Sequence, residues 1–482
     1  MGLKEDSKFA RFITMGAFGA RHVAGDLHQR GHRIIELERY AMANKIWSTK
    51  VKRLRMADLL CISCGRRFEA KAKSKLEVKL SDSKQVGRGW SAGMRPTDVF
   101  AFLPVKLEAD GLSPTIGKPL YLTTASMQQV TPKQGQLKSA ADGSELDVYW
   151  PITVAKRTGI VTRVQGGRVT VQPSDGRMST LGRPDDQPLV RVGDQVAAGV
   201  ILGSAVAPAT DLDCAGSTWD LRRAFGNDAV EIFAATKAVG ALHVDDLADL
   251  VRTIADDEHR DMRLRIEALG SLARLGDSRA VGQLADLGNS DGETSMQMER
   301  VLILSELIGS PAAAQALLKI AQCVAYSDEI RAAAVWGLGS TWHDKFYGCW
   351  SFAFDRSEKV RRHAQAGIGV PTAADVPYLI AALGEGERAP LASAILARSK
   401  FVSALIGALS DDRSRDWALQ SLGQISPTSL DDDVEQLSSV DQAVLGALRR
   451  RNLQDTHNEP TNLTEIQFLA AQSLRAPMPA SS

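Results

Sequence analysis

The chain has 482 residues, of which 44% are hydrophobic and 24% are charged, and its formal net charge is +1. This length exceeds a single hydrophobic core and predicts about three domains of roughly 100–200 residues each. A net charge near zero excludes a nucleic-acid interface spread over the whole surface, so any basic surface must be local. No segment approaches the ~18 consecutive apolar residues of a membrane helix, and we therefore expect no membrane partner.

The five cysteines are odd in number and are scattered, apart from Cys61 and Cys64. This pattern argues against a disulfide framework and favours a reducing compartment. The apolar run at residues 12–20 resembles the core of a signal peptide, but Glu5 and Asp6 dilute the positive charge expected before it. The sequence therefore predicts a cytoplasmic protein.

The first part, residues 1–107, is predicted to be a mixed α/β domain. Residues 25–55 have helical periodicity, and two strand-like runs follow, "ADLLCI" and "RFEAKAKSKLEVKL". A tight turn at residues 63–65 would join these runs as a hairpin. The run "DVFAFLPV", residues 98–105, is typical of a buried strand.

Three polar side chains of this hairpin are candidates for a catalytic site. Glu69 and Lys71 are two residues apart and would share one face of a strand. A hairpin that turns near Gly65 would place Asp58 opposite the second strand, close to both of them. Carboxylates bind hard divalent cations, and a nearby lysine stabilises the negative charge that develops in phosphodiester hydrolysis.

The acid, the hairpin and the Glu-x-Lys triplet together resemble the PD-(D/E)xK nuclease superfamily, whose fold is restriction-endonuclease-like. The resemblance covers roughly a sixth of the chain. It implies that Asp58 and Glu69 bind Mg2+ or Mn2+ and that Lys71 is the catalytic cation. It also implies a further catalytic acid on the preceding helix, Glu36, with Glu38 as the alternative. The sequence departs from the family pattern in having alanine, not proline, before Asp58.

The same region carries a local excess of positive charge. Residues 45–80 contain eleven lysines and arginines and three acids, an excess of +8. This excess favours contacts with DNA phosphates, and solvated strand and helix faces are the alternative explanation. Trp47, Phe68 and Trp90 could stack on bases, but they are predicted to lie in the core. The predicted DNA-binding residues are Lys52, Arg53, Arg55, Arg66, Arg67, Lys73 and Lys75.

Cys61 and Cys64 form a CxxC pair followed by glycine, which resembles half of a zinc ribbon. Tetrahedral zinc needs two further ligands, and the chain has no second CxxC pair. His22, His28 and His32 lie upstream, and the last two would share a face if one helix contained both. The competing interpretation is two small residues in a tight hairpin without a metal.

The middle part, residues 108–215, alternates apolar and polar residues between turns rich in Gly, Pro, Asp and Ser. Such a pattern is typical of hairpins and predicts a small β-barrel or β-sandwich domain. Residues 190–203 resemble the turn and strand unit of barrel-sandwich hybrid domains, as in biotinyl and lipoyl carriers. No exposed lysine stands at a hairpin tip, so we expect a structural or docking module.

The last part, residues 225–450, repeats an arginine followed by alanine three residues later, an aliphatic residue seven later and glycine eight later. The clearest copies begin at Arg331, Arg361 and Arg415, weaker copies begin at Arg265 and at Val301 (ending in Gly309), and the period is about 30 residues. Each copy has helical periodicity, and its glycine is expected to end the helix with a positive φ. The pattern resembles HEAT-like repeats, which implies an α-solenoid that binds a protein or nucleic acid. Residues 451–482 are predicted to form a short helix and a flexible tail.

These parts predict a multidomain α+β protein whose function is metal-dependent DNA endonuclease activity. The resemblance suggests a role in bacterial restriction or anti-phage defence. The alternative is a non-catalytic scaffold, in which the HEAT-like repeats bind a protein partner and the N-terminal domain only binds nucleic acid. A third hypothesis is a regulatory module stabilised by zinc. We also consider the chain a candidate homo-oligomer.

Overall fold

The computed structural model is a mixed α+β structure with a helical C-terminal region. It describes residues 7–37, 47, 56–83, 89–107, 114–140, 143–174, 176–226, 228–286, 294–341, 349–368, 371–399, 401–425 and 437–457. Most of the predicted tail, from residue 458 onwards, therefore lies outside the described residues.

The described residues contain sixteen strands. In chain order they are β1 (Ile34–Glu36), β2 (Leu59–Cys61), β3 (Arg67–Lys73), β4 (Val78–Asp82), β5 (Val99–Leu107), β6 (Pro114–Ile116), β7 (Leu120–Thr123), β8 (Lys133–Ala140), β9 (Gly143–Trp150), β10 (Ile152–Val154), β11 (Gly159–Gln165), β12 (Arg168–Pro173), β13 (Ser179–Gly182), β14 (Gln187–Pro188), β15 (Gln195–Val196) and β16 (Ile201–Ser204).

The N-terminal part is a six-stranded sheet with helix α1 (Ser7–Gln29) packed on one face. The strand order is β1-β2-β3-β5-β6, and β7 also pairs with β5. Strands β3 and β5 are parallel, and the other pairs are antiparallel. The hairpin turn and the buried strand at 99–107 are confirmed, since β2 and β3 pair around a turn in which Gly65 has a φ of 72°.

The helix predicted over residues 25–55 is wrong for most of its described length. Helix α1 begins at Ser7 and ends at Gln29, and residues 34–36 form strand β1 instead. Gly31 has a φ of 79°, a conformation that ends the helix and turns the chain into the sheet. Of residues 38–55, only Trp47 is described.

Strand pairing crosses the boundary expected between residues 107 and 108. Strand β4 pairs with β9 in the sheet β4-β9-β8, and β7 pairs with β5. Side chains of β4 and β9 share one core with Phe100 and Phe102 of β5. The N-terminal part and the first strands of the middle part are therefore packed as one unit.

Two further sheets make up the rest of the middle part, in the orders β10-β16-β14 and β13-β12-β11-β15. Val161, Val169 and Val171 from one sheet and Leu202 from the other belong to one small core. No sheet formed by the described residues closes on itself, so the barrel alternative is wrong. Two sheets that share a core are consistent with the sandwich alternative.

The C-terminal region consists of short helices around one continuous core. None of the helices that the structure describes is long and apolar enough to cross a membrane. The helices after α1 are α2 (Thr124–Gln128), α3 (Leu221–Ala224), α4 (Ala229–Leu242), α5 (Ala248–Asp256), α6 (Met262–Arg274), α7 (Ser278–Ala285), α8 (Thr294–Glu306), α9 (Pro311–Gln322), α10 (Asp328–Thr341), α11 (Glu358–Gly367), α12 (Val376–Ala382), α13 (Ala389–Leu396), α14 (Val402–Ala408), α15 (Arg415–Gln424) and α16 (Ser439–His457).

Three of the repeated arginines donate a hydrogen bond to a carbonyl at the end of the preceding helix. Arg265 Nε donates to the carbonyl of Ala255 at 3.1 Å, and Arg331 Nε donates to that of Ala321 at 2.9 Å. Arg415 makes the same contact with the end of α14. Carbonyls in a last helical turn lack helical partners, and the arginine supplies the missing donor. The recurrence of this residue therefore has a structural cause.

Two repeat glycines do not end helices as predicted. Gly339 lies inside α10, and Gly423 lies inside α15. A Cβ at Gly423 would stand 2.8 Å from Leu448 Cβ, so this glycine allows α15 and α16 to approach closely. Gly309, in a weaker copy, follows α8 with a φ of 76° as expected, and Gly369 lies outside the described residues.

A buried tryptophan joins the N-terminal part to the helical region. The Trp47 ring stacks on His363 with 4.6 Å between the ring centroids, and its edge meets Trp336 at 6.5 Å. Leu37 and Met56 belong to the same core. The prediction that Trp47 is a core residue is confirmed, and the helical region thus contacts the chain's own N-terminal segment.

Candidate active site

Asp58 and Glu69 lie opposite each other at the open end of the β2–β3 hairpin. The register pairs Leu59 with Phe68, so the next pair along the strands is Asp58 and Glu69. Asp58 Oδ2 accepts a hydrogen bond from the Ala70 amide at 2.9 Å, and Glu69 Oε2 accepts one from the Asp58 amide at 3.2 Å. These backbone donors hold the two carboxylates at fixed positions between the strands.

Lys71 projects from the same face of β3 as Glu69, because the two residues are two apart in a strand. Its ammonium group forms an ion pair with Glu69 Oε1. The structure therefore brings Asp58, Glu69 and Lys71 together. We refer to these three residues as the acid–lysine cluster.

A cavity of about 440 Å³ opens beside the acid–lysine cluster. Its charged lining comes from Glu69 and from three lysines of β3 and β4, namely Lys71, Lys73 and Lys79. Trp90 forms part of the apolar wall and packs edge-on against Trp150. The cavity is thus predominantly cationic, with the Glu69 carboxylate at one edge.

The other two cavity lysines differ in their electrostatic environment. Burial lowers the pKa of Lys73, because desolvation disfavours its charged form. The pKa of Lys79 is raised, because its ammonium donates a hydrogen bond to Asp147 at a distance of 2.9 Å. An anion entering the cavity would therefore meet a desolvated lysine, Lys73, beside a lysine that is already paired.

Glu36, the predicted helix acid, does not join the acid–lysine cluster. It lies in strand β1, not in a helix, and pairs with Leu59. Leu59 belongs to the core under α1, and directly paired strand residues share a face. Asp58 and Glu69 occupy the next position and point to the opposite face. The assignment of Glu36 to the catalytic site is therefore wrong, and Glu38 lies outside the described residues.

The predicted DNA contact of Arg67 is also wrong, because its guanidinium is buried in an ion pair. Both Arg67 and Asp98 are 1% exposed. Arg67 Nε lies 3.1 and 3.0 Å from the two Asp98 carboxylate oxygens, and Nη2 lies 2.5 Å from Oδ2. This arginine fastens β3 to the start of β5.

The remaining predicted DNA-binding residues have different positions. Arg66 is half-buried, and its Nη1 donates to the carbonyl of Asp211 at 2.6 Å. Lys73 lines the cavity, and Lys75 is exposed on the turn after β3. Three basic residues lie outside the described residues, namely Lys52, Arg53 and Arg55.

A second group of polar side chains lies at the other end of the hairpin. His32, Cys61, Cys64 and Cys214 each offer one ligand atom, and these atoms lie within 4.8 Å of one another. We refer to these four residues as the His–Cys cluster. His28, which was expected to share a helix face with His32, instead accepts a hydrogen bond from a β1 amide. Sequence reasoning missed Cys214, because a single cysteine far along the chain carries no spacing signal.

A hydrogen bond between the two hairpin thiols shifts their pKa values in opposite directions. A hydrogen bond from the Cys64 side chain lowers the pKa of Cys61, and the backbone amides of residues 63 and 64 contribute in the same direction. The same hydrogen bond raises the pKa of Cys64. The cluster therefore stabilises a thiolate, which is the form of cysteine that binds metals.

Comparisons with known proteins identify no family for this chain. No protein-family model matches it, and no curated protein matches it. Among solved structures, it is similar to human deoxyhypusine hydroxylase in complex with glycerol. That similarity has 17% sequence identity, covers 46% of this chain and 99% of the other, and has a TM-score of 0.23. A similarity at this TM-score carries no argument about function.

Proposed function

We propose that this protein is a metal-dependent endonuclease that hydrolyses DNA phosphodiester bonds at the acid–lysine cluster. One observation carries the proposal. Asp58, directly before β2, lies opposite Glu69 of β3, and Glu69 and Lys71 line a cavity together with Lys73 and Lys79. Helix α1 precedes the hairpin and strand β5 in the chain, but it begins and ends before most of the helix predicted over residues 25–55.

The donor set of the cluster fits Mg2+ or Mn2+. Asp58 and Glu69 supply carboxylate oxygens, the hard ligands that these ions prefer, and backbone amides hold both groups in place. When bound, such an ion polarises a phosphoryl oxygen and makes a bound water more acidic. The Lys71 ammonium, now paired with Glu69, would exchange this partner for the substrate phosphate and stabilise its developing negative charge.

The cavity lysines support a phosphate ligand. Lys73 is held with a lowered pKa, so a phosphate oxygen beside it would favour its charged form and would be bound in return. Lys79 lies on the neighbouring strand β4 and lines the same cavity. Phosphate contacts of this kind make affinity fall as salt rises. We therefore expect DNA binding and cleavage to be strongest at low ionic strength.

The second candidate function is a scaffold that binds nucleic acid or a protein without cleaving it. It is favoured by the ion pairs of the site, since Lys71 pairs with Glu69 and Lys79 pairs with Asp147. In this alternative the acids orient the lysines, and the helical region binds the protein partner. Substituting the acids would then change binding but would have no cleavage to abolish.

Cleavage of supercoiled plasmid separates the two candidates. The full chain and its Glu69→Gln and Lys71→Ala variants are each incubated with Mg2+, Mn2+ or EDTA at low salt, and DNA binding is measured in parallel. Lys156→Ala is the matched control, because it removes one exposed lysine in the turn after β10. We expect metal-dependent cleavage by the wild type and the control, and a loss of at least about 100-fold in the other two. DNA binding without cleavage by all four proteins would establish the scaffold.

The proposed biological role is bacterial restriction or anti-phage defence. It rests on the proposed activity alone, since a nuclease that cleaves foreign DNA would protect its host. Bacteria that express the wild type should show a lower plating efficiency of sensitive phages than bacteria that express Glu69→Gln. Equal plating efficiency on the two bacterial strains would show that the nuclease activity does not serve this role.

A further inference from the structure

The geometry of the His–Cys cluster points to one tetrahedrally bound zinc ion, held by His32, Cys61, Cys64 and Cys214. In tetrahedral zinc sites, zinc–sulfur bonds of ~2.3 Å and zinc–nitrogen bonds of ~2.0 Å separate two sulfurs by about 3.8 Å and a sulfur from a nitrogen by about 3.5 Å. The Sγ atoms of Cys61 and Cys214 are 3.8 Å apart, and Cys64 Sγ is 3.6 Å from His32 Nδ1. Both distances match.

The imidazole of His32 is oriented for this role. Its Nε2 lies 2.7 Å from the carbonyl of Leu212, which can only accept a hydrogen bond. The proton therefore resides on Nε2, and Nδ1 presents its lone pair to Cys64 and the rest of the cluster. A backbone carbonyl that fixes the far nitrogen of a histidine is a common partner of zinc-binding histidines.

The burial and the number of the ligands favour a structural zinc ion over a catalytic zinc ion or a disulfide. His32 and Cys61 are buried, and Cys64 and Cys214 are half-buried, so four protein ligands close the site. Three thiolates and one imidazole form a ligand set of structural zinc sites, whereas a catalytic site leaves one position for water or substrate. A disulfide needs sulfurs about 2.05 Å apart and has no use for the imidazole.

The cluster joins two distant parts of the chain. Cys214 lies in the segment 205–220, which has no helix or strand. Its amide donates to the carbonyl of Arg30 at 3.0 Å, and the amides of Thr218 and Trp219 donate to that of Ser63 at 2.9 and 3.0 Å. These hydrogen bonds bring the segment to the hairpin turn, and the zinc ion would fix it there.

The consequence concerns the position of the helical region. Segment 205–220 leads directly into α3, so its attachment to the hairpin sets where the helices begin. A metal that clips two points so far apart in sequence restricts the unfolded chain and stabilises the fold. The inference goes beyond the proposed function, because the clip acts whether or not the hairpin cleaves DNA.

The test measures the metal content of the full chain. Protein without a metal-binding tag is purified from zinc-supplemented cells and analysed by inductively coupled plasma mass spectrometry. We expect about one zinc ion per chain. Replacement by Co2+ should give the intense visible bands of tetrahedral cobalt and the near-ultraviolet bands of cobalt–thiolate bonds. Chelator should remove both the metal and these bands.

Variants locate the metal. Cys214→Ser and Cys64→Ser should lose most of the zinc, and limited proteolysis of both should cut segment 205–220 at least about 10-fold faster than in the wild type. The matched control is Cys323→Ser, which changes a half-buried cysteine of the helical region outside the cluster. It should retain both the zinc and the protease resistance.

Two results would overturn the inference. One is wild-type protein with less than about a tenth of an equivalent of zinc and no thiolate bands after cobalt addition. The other is unchanged zinc content in Cys214→Ser. Should that variant not fold, the wild-type zinc content and cobalt spectrum alone still decide the question.

Discussion

The buried ion pair of Arg67 and Asp98 makes a prediction that separates structure from DNA binding. Arg67 lies in the basic segment from which phosphate contacts were predicted, yet its guanidinium is enclosed with one carboxylate. Asp98 Oδ2 also accepts the amide of Arg95 at 2.7 Å, and Arg67 Nη2 donates to the carbonyl of Gly93 at 3.2 Å. We therefore expect Arg67→Met to destabilise the sheet and not to weaken DNA binding directly.

The magnitude follows from the burial of both partners. Removing one member of a buried ion pair leaves an uncompensated charge, which costs about 3–5 kcal/mol. Replacing both members with apolar residues of similar volume leaves no such charge. Arg67→Met combined with Asp98→Leu should therefore recover most of the loss, so the two substitutions should be strongly non-additive.

The assay must report on the sheet itself, because a chain of this size does not unfold in one step. Hydrogen exchange followed by mass spectrometry, on peptides that cover β3 and β5, gives the local free energy of opening. We expect faster exchange in Arg67→Met and near wild-type exchange in the double variant. Arg66→Met, one residue away and half-buried, is the control and should have a smaller effect.

One pattern of results would show that Arg67 does not have a structural role. If Arg67→Met exchanged like the wild type and instead bound DNA more weakly, the guanidinium would be a phosphate ligand and not a structural group. Additive effects in the double variant would equally contradict a buried pair.

Three further predictions test the packing. Gly19→Ala should lower the local free energy of opening by about 1–3 kcal/mol in hydrogen exchange of peptides that cover α1 and β3, because the new Cβ would stand 2.6 Å from Ala72 Cβ. Gly25→Ala, with open space around it, should raise the same quantity for α1 by about 0.5–1 kcal/mol. Burial lowers the pKa of His363 to about 4 from 6.5, so the unfolded chain binds a proton that the folded chain does not. The stability of the helical region should therefore fall as the pH drops from 6.5 towards about 4, by up to about 3 kcal/mol, and His363→Asn should remove this dependence in unfolding curves measured across that range. Trp47→Ala should cost about 3–5 kcal/mol and speed proteolysis of the N-terminal segment, and unchanged proteolysis would contradict its docking into the helical region.

Local patterns in the sequence predicted the elements that depend on local chemistry. The glycine after Cys64 marked the hairpin turn, and the apolar run at 98–105 marked a central strand, because a strand buried on both faces is apolar throughout. The spacing of Asp58, Glu69 and Lys71 also predicted which side chains meet, since a period of two fixes the face of each residue.

Other features depend on partners that local patterns do not reveal. The positive charge of Arg67 suggested that its side chain lies on the surface. Only the fold shows that Asp98 neutralises this charge. Glu36 has helical periodicity around it, yet pairing with β2 draws it into a strand and onto the other face. Cys214 is brought to the hairpin by the whole intervening chain. Tertiary contacts determine where these side chains lie, and the spacing of residues in the sequence does not reveal tertiary contacts.

The most direct test of metal binding at the acid–lysine cluster is anomalous diffraction from crystals of the full chain soaked in Mn2+. We expect an anomalous peak within bonding distance of the Asp58 and Glu69 carboxylates, with the Lys71 ammonium displaced from Glu69. The same soak of Glu69→Gln crystals should show no peak there. The contrary result is a structure in which Lys71 keeps its ion pair with Glu69 and no Mn2+ binds at a saturating concentration. That result would contradict a metal-dependent active site at this hairpin.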